Sequence, residues 1–324
     1  MNNNNFKCYI CGNTNNNKKF TVREMMFGFG DEFDYYECAN CKCLQIAEIP
    51  SDLSKYYPAE YYSFDLKNIG KDPLVFRIIS QIIGKIYINT NFINEKSTLL
   101  RKFGLSFIEK IKLTKVNFNS RILDVGSGTG EKLNVLASAG FKNLTGIDPF
   151  IDQDISYKSG VKIYKKDIYE MKDQYDMIML NHSFEHMADP YKVLKEVYRL
   201  LKPGHIALIR IPIADSYSWK KYGVNWVNLD APRHFYLHTI KSMKILASKE
   251  NFELVNILFD SDDCQFWVSE QYSKGIPMHS DQSYFKNKNN SIFSGLQIKQ
   301  FKEKAKELNK KREGDKACFY LKKL

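Results

Sequence analysis

Three groups of residues in this 324-residue chain combine types and spacings that could do chemistry. The first is cysteine. Cys8-x2-Cys11 and Cys38-x2-Cys41 form two knuckles separated by 26 residues, a pattern that lets four thiolates surround one tetrahedral ion. Gly12, directly behind the second ligand, suits the tight turn a knuckle makes. Structural zinc is the natural occupant, with Cys43 as a spare ligand or a bystander. A redox pair is disfavoured because the motif does not open a βαβ unit, and an iron–sulfur cluster is the other competing reading. Cys264 and Cys318 lie far off and read as ordinary apolar residues.

The second group is the stretch "RILDVGSGTGEKL", residues 121 to 133, which holds Asp124, Gly126, Ser127, Gly128 and Gly130 between an apolar run and a helical one. A strand, a glycine loop and a helix in that order is the geometry in which a ligand meets the backbone at the carboxyl edge of a parallel sheet. A dinucleotide loop would need glycine at 131, where the chain has Glu131. Asp124 would also repel a pyrophosphate. A cationic or neutral nucleotide-like ligand fits better, and S-adenosylmethionine is one: it has no phosphate and carries an ammonium and a sulfonium.

The third group is histidine, the side chain best tuned to take a proton near neutral pH. His182 and His186 sit in "HSFEH", which also spells an inverted zinc-peptidase motif. That motif needs both histidines on one helical face. Here they follow a buried apolar run and precede Ala-Asp-Pro, which predicts a strand-end loop instead.

These groups need elements to position them. The length predicts a principal domain of roughly 200 residues with smaller attachments, and 44% hydrophobic and 14% aromatic residues are ample for a core. Residues 1–50 read as a zinc-binding domain with four cysteine ligands, in which bound metal supplies the folding energy. Residues 51–118 read as a helical linker or cap, with the aromatic run "YYPAEYYSF" and an amphipathic helix at 73–88 on which Val75, Ile78, Ile79, Ile82 and Ile86 recur. That helix is read as a cap over the site, with a homodimer surface as the alternative.

From 119 to 324 short apolar runs alternate with helical ones. "RILDVG", "NLTGID", "VKIYKKD", "YDMIMLN" and "HIALIRIP" read as strands, with helices at "EKLNVLASAG" and "DPYKVLKEVYRLLKPG" ending in Gly or Pro-Gly stops. Alternation of this kind predicts an α/β, doubly wound parallel sheet. "FELVNILFD" and "KACFYLKK" offer the last strands, with "QFWVSEQ" competing for one of them.

The net charge of +11 is concentrated rather than spread: residues 298–324 hold ten Lys or Arg against four acids, a net +6. That tail, "KQFKEKAKELNKKREGDK", interleaves acids with lysines as a solvated helix does, which makes nucleic acid an unfavoured partner. The N-terminus is polar, and the most apolar segment is broken by Arg77, Gln81 and Lys85. A cytoplasmic protein with no membrane insertion is therefore expected.

From 119 to about 260 the chain resembles the class I S-adenosylmethionine-dependent methyltransferases. "LDVGSGTG" is similar to the family's first motif, and Asp148, ending "NLTGID", matches the acid that accepts hydrogen bonds from the cofactor's ribose. Asp167 and Ile168 match the pair that touches the adenine, and Asn181 and His182 match residues flanking cofactor and acceptor. Glu185 and His186 match positions that support the site. The resemblance implies a Rossmann-like sheet of seven strands behind a small zinc-ribbon-like domain. A zinc head before such a core resembles bacterial methyltransferases acting on sugars or surface-glycan intermediates, which implies a small acceptor such as a sugar nucleotide, a sugar phosphate or a polysaccharide precursor.

After the fifth strand, an insertion near 214–240 holds two tryptophans and two histidines, where the family places acceptor-binding elements. His234 is the expected general base, with His238 and His182 behind it. Tyr217, Trp219, Trp226 and Arg233 are the expected acceptor contacts, since aromatic faces suit a sugar ring and Arg a phosphate. Two competing functions remain open at this point: an RNA methyltransferase, and a non-catalytic interaction protein on the same fold.

Overall fold

The structure, a computed structural model, describes residues 6–58, 74–89 and 98–324. Between the two cysteine knuckles the chain forms an antiparallel hairpin of β1 (Lys18–Arg23) and β2 (Glu32–Glu37). β3 (Leu44–Ile46) leaves the second knuckle and pairs back on β2. Of the aromatic run at 56–64, residues 59–64 lie outside the described residues.

Among the described residues three helices precede the main sheet: α1 (Leu74–Asn89), α2 (Thr98–Lys102) and α3 (Ile108–Lys112). The side chain of Val75 lies outside the described ones. Ile78, Ile79, Ile82 and Ile86, the apolar stripe read at helical spacing, are exposed, while Ser80 and Ile83 are buried. The helix makes its close approach through Gly84, where an added Cβ would stand 2.5 Å from the carbonyl oxygen of Ala139.

The sheet begins with β4 (Arg121–Val125), followed by α4 (Glu131–Ser138), β5 (Asn143–Ile147), β6 (Ile155–Ser156), β7 (Lys162–Tyr164) and β8 (Tyr175–Asn181). α5 (Pro190–Leu200) starts at Asp189, whose side chain accepts from Lys192 N, with Pro190 in the first turn where no donor is needed. Its Val193, Leu194, Val197 and Leu200 recur on one face and are buried. β9 (Leu201–Pro212), α6 (Tyr217–Tyr222), β10 (Tyr236–Leu237), α7 (Ile240–Lys249) and β11 (Phe252–Phe259) follow. α8 (Cys264–Tyr272), α9 (Gly295–Lys311) and β12 (Lys316–Lys323) complete the chain. The "QFWVSEQ" run is thus part of α8, and "KACFYLKK" is the strand.

Among the described residues the main sheet has eight strands in the order β11-β12-β9-β8-β4-β5-β7-β6, which corrects the expected seven. The extra one is β6, a two-residue antiparallel edge on β7, too short for any alternation to mark it. β4, β5, β7, β8 and β9 run parallel, and β12 lies antiparallel between β9 and β11, so the sheet is mixed. A second sheet, β1-β2-β3-β10, joins the cysteine-bearing segment to residues 236–237 of the insertion. No helix among the described residues is long and apolar enough to cross a membrane.

Candidate functional site

The two knuckles bring the thiols of Cys8, Cys11, Cys38 and Cys41 within 4.8 Å of one another, and none forms a disulfide. Cys8 Sγ stands 3.6 Å from Cys41 Sγ, and Cys11 Sγ 3.4 Å from Cys38 Sγ. Four sulfurs at about 2.3 Å from a tetrahedral zinc would be about 3.8 Å apart, so the set fits the ion with little movement. Two N–H groups point at sulfur: Gln45 Nε2 donates to Cys8 Sγ at 2.8 Å and Cys41 N to Cys38 Sγ at 3.4 Å. Such donors favour thiolates, the form that binds metal. Cys43 is fully buried and faces His238 instead, with its sulfur 3.9 Å from Nδ1.

The glycine loop leaves β4 with Gly126, Gly128 and Gly130 all at positive φ. At Gly126 an added Cβ would meet Ser183 Cβ at 2.5 Å, and at Gly130 it would meet Ile163 Cδ1 at 2.6 Å. The loop therefore has room for backbone alone, and Ser183 Oγ fastens it by donating to Val125 O at 2.7 Å. Gly126→Ala should cost about 1–2 kcal/mol in left-handed backbone strain and about 1–3 kcal/mol in overpacking against Ser183. A lowered denaturation midpoint with weakened nucleoside binding is the expected result, and wild-type behaviour in both would show that the loop tolerates a side chain.

Around the loop, adjacent strands present their carboxyl ends. Asp124 is buried at the end of β4, and its Oδ1 has no hydrogen-bond partner among the described residues. Burial pushes its carboxyl well above the usual range. A cationic group brought to that oxygen would offset the cost of its desolvation. Asp148, beyond β5, accepts from Gly128 N at 2.8 Å and Phe150 N at 2.9 Å, one bond to each oxygen. Each oxygen keeps a second lone pair for a ligand hydroxyl. Asp167 caps a 3-10 turn through Tyr169 N at 3.3 Å, and Ile168 behind it is buried. Asn181 ends β8, and its Oδ1 stands 3.4 Å from Arg210 Nη1. Ser127 is half-buried, with its amide on Ile147 O at 3.1 Å. The sheet order β8-β4-β5-β7 makes these residues neighbours at one edge.

Against this loop sits the turn 182–186, where Phe184–His186 form a 3-10 turn rather than the helix a zinc peptidase needs. His182, at φ 55°, donates from Nδ1 to Glu185 Oε1 at 3.3 Å, while its Nε2 accepts from Arg210 Nη1. Both of its nitrogens are therefore engaged. His186 Nδ1 donates to Arg233 O at 2.7 Å, and His234 Nδ1 donates to Asn228 O at 2.7 Å. Each of these rings consequently presents Nε2 as an unprotonated nitrogen.

The two rings pack edge to face, 4.7 Å between centroids. His234 Nε2 stands 3.9 Å from Glu185 Oε1 and 3.8 Å from Asp230 Oδ2, both beyond hydrogen-bond length. Burial lowers the basicity of all three imidazoles, His186 to about 3, and pushes Glu185 up to about 8. Near neutral pH the cluster is thus a neutral carboxyl among neutral imidazoles. Ligand atoms of Glu185, His186 and His234 all lie within 4.8 Å of one another, close enough for one cation to bridge.

The other expected residues are placed differently. His238 is fully buried between the rings of Phe184 and Tyr236, with Nδ1 3.3 Å from Ser242 Oγ. Trp226 is buried and donates to Asp315 Oδ2 at 3.0 Å. Trp219 donates to Glu37 Oε2 at 3.2 Å and packs edge-on against Phe20, and Tyr217 packs against Phe266. Arg233 is wholly buried, held by Asp230 at 2.6 Å and Glu24 at 2.9 Å. Its guanidinium is neutralised by two carboxylates, which leaves no charge for an acceptor phosphate. The sequence reading missed Glu24, Tyr35, Asn228, Asp230 and Arg210. Only Asp230, three residues before Arg233, carried a local signal.

A family model described as a methyltransferase domain matches residues 95–257, half of the chain. The chain is 32% identical over 146 residues to the ubiquinone biosynthesis O-methyltransferase of Bordetella avium, a match covering 40% of this chain and 59% of that protein. It is 35% identical over 95 residues to the protein of the same name from Pseudomonas savastanoi, covering 26% of this chain and 40% of that protein. The chain thus spans about half the length of these relatives. Among solved structures, the chain can be superposed on a SAM-dependent methyltransferase from Archaeoglobus fulgidus with a TM-score of 0.44 and 20% identity, over 69% of this chain and 94% of that one.

Proposed function

Because this chain belongs to the methyltransferase domain family, we propose that it moves a methyl group from S-adenosylmethionine to a hydroxyl of a small acceptor. The observation that carries this reading is the unprotonated Nε2 of His234, held beside Glu185 on the turn that packs against the glycine loop. When bound, S-adenosylmethionine supplies an activated methyl carbon that is lost as a neutral thioether forms. Asp124 would meet its charged end and Asp148 its ribose hydroxyls, with Asp167 and Ile168 holding the base. His234 Nε2 takes the hydroxyl proton as the oxygen attacks. Asn228 O, on Nδ1, holds the ring and stabilises the imidazolium that forms. In the same reading the cluster of four thiols holds structural zinc.

For the acceptor we favour a sugar derivative, on the resemblance of a zinc-headed chain to glycan-modifying methyltransferases. The relatives named for ubiquinone biosynthesis support an aromatic hydroxyl as the alternative. Calorimetric titration with S-adenosylhomocysteine tests the cofactor. Asp148→Ala should weaken that binding by about 1.5–3 kcal/mol, the range for a hydrogen bond to a charged group, and unchanged affinity would remove Asp148 from the site. Label transfer from methyl-labelled S-adenosylmethionine to a panel of nucleotide sugars, sugar phosphates and catechols then separates the acceptor classes.

The 4.8 Å spacing of Glu185, His186 and His234 favours a second reading, a divalent cation that acidifies the hydroxyl. It requires transfer by the zinc-replete protein to depend on an added metal ion.

A further inference from the structure

Nine consecutive residues, 231–239, are buried without a break, although only Tyr236 and Leu237 among them form a strand. What holds them is the cysteine head. Tyr35 Oη donates to the carbonyl oxygen of His234 at 2.8 Å, and Ile46 N donates to that of Phe235 at 2.9 Å. Tyr236 and Leu237 pair with Gln45 and Leu44. Thr239 Oγ1 donates to the carbonyl oxygen of Cys41, itself one of the four cluster thiols, at 2.6 Å. Glu24, from the turn after β1, meets Arg233 at 2.9 Å, both side chains fully buried. On the opposite side Phe235 N donates to Glu185 O at 2.9 Å and Tyr236 Oη to Ala188 O at 3.0 Å.

His234 therefore lies between two fixed bodies, the head and the turn that carries Glu185. We propose that the head serves the reaction by positioning His234, with Tyr35 as the principal positioning residue and Glu24 as the second. The inference rests on the reading of His234 Nε2 as the group that meets the acceptor hydroxyl. The chain of contacts is short. The thiol cluster sets the knuckles, the second knuckle sets β3 beside β2, and Tyr35 and Ile46 fix the carbonyls of two successive residues, His234 and Phe235.

The surfaces involved are not available for other work: Tyr35, Cys43 and Leu44 are wholly buried at this contact, and Gln45 nearly so. This face of the head is thus committed to the contact with residues 231–239. The effect on rate is expected to exceed the effect on fold. One hydroxyl to one carbonyl is a small part of the packing, whereas displacement of a reacting group by about 1 Å can cost about 100-fold in rate.

Tyr35→Phe removes that hydroxyl and nothing else. In the full-length, zinc-loaded protein, with imidazole nitrogens labelled, wild-type His234 should show one tautomer with its proton on Nδ1, and Tyr35→Phe should show exchange between tautomers. S-adenosylhomocysteine affinity should stay within about twofold, and transfer to the acceptor class found by the panel should fall roughly 10-fold in kcat with little change in KM. Glu24→Gln, which keeps the size but replaces one accepting oxygen by an NH2 group and so loses two of the four hydrogen bonds, should act in the same direction. Tyr36→Phe, on the neighbouring outward position of β2, should change none of these. A His234 resonance that keeps its Nδ1–H tautomer in both Tyr35→Phe and Glu24→Gln would overturn the proposal. Failure of wild-type protein to bind S-adenosylhomocysteine would instead overturn the methyltransferase reading, since the resonance is measured without cofactor.

Discussion

His234→Ala is expected to leave affinity for S-adenosylhomocysteine unchanged while cutting turnover about 100-fold or more, the lower range for loss of a general base. The reason is geometric. Among the four histidines near the site, His182 has both nitrogens engaged and His238 lies between two aromatic rings over Cys43. His234 keeps Nδ1–H on a backbone carbonyl and turns Nε2 towards Glu185. Steady-state kinetics and calorimetry on one preparation check the split. Full activity would transfer the role to His186, whose Nδ1 is fixed in the same way.

Glu24→Ala is expected to destabilise the protein by about 3–5 kcal/mol, the cost of breaking a buried ion pair from one side. Glu24 does more than pair with Arg233. Its two oxygens also accept from the amides of Phe27, Gly28 and Phe29 at 2.9–3.0 Å, so truncation leaves three donors to find other partners in a turn with no spare carboxylate. Asp230 remains on Arg233, which should keep the loss from exceeding that range. Denaturant unfolding measures it, and a change under 1 kcal/mol, small against the ion-pair range, would mean that the turn repacks around Asp230 alone.

Much of the sheet was legible because its signals are local. Apolar runs of five to eight residues bounded by Gly, Pro or Asp marked β4, β5, β8 and β9, and the N-cap of α5 could be read from Asp189-Pro190. The two-residue β6 and the register of β12 between β9 and β11 carry no such signal. On α1 the helical spacing of the isoleucines was readable but the buried side was not. Gly84, which lets the helix approach Ala139, decides which face turns inward.

At the site the division is similar. Spacing marked the four thiols and the glycine loop, and the family resemblance marked Asp148 and Asp167, because each is tied to a knuckle or a strand terminus within a few residues. The roles of the aromatic and basic residues in the insertion were not readable. Trp226 and Arg233 look like acceptor contacts by type, yet their partners, Asp315 and Glu24, stand 89 and 209 positions away.

The sequence by itself determined the family, the order of the strands that carry its motifs and the spacing that brings four thiols together, since periodicity and motif spacing act over short separations. Only the tertiary structure decided that His182 has both nitrogens engaged while His186 and His234 each keep Nε2 unprotonated, and that Tyr35 of the cysteine head meets the carbonyl oxygen of His234. Those outcomes depend on contacts such as Tyr35 to His234, 199 residues apart, and on burial that sets protonation, and neither is written in any local stretch of the chain.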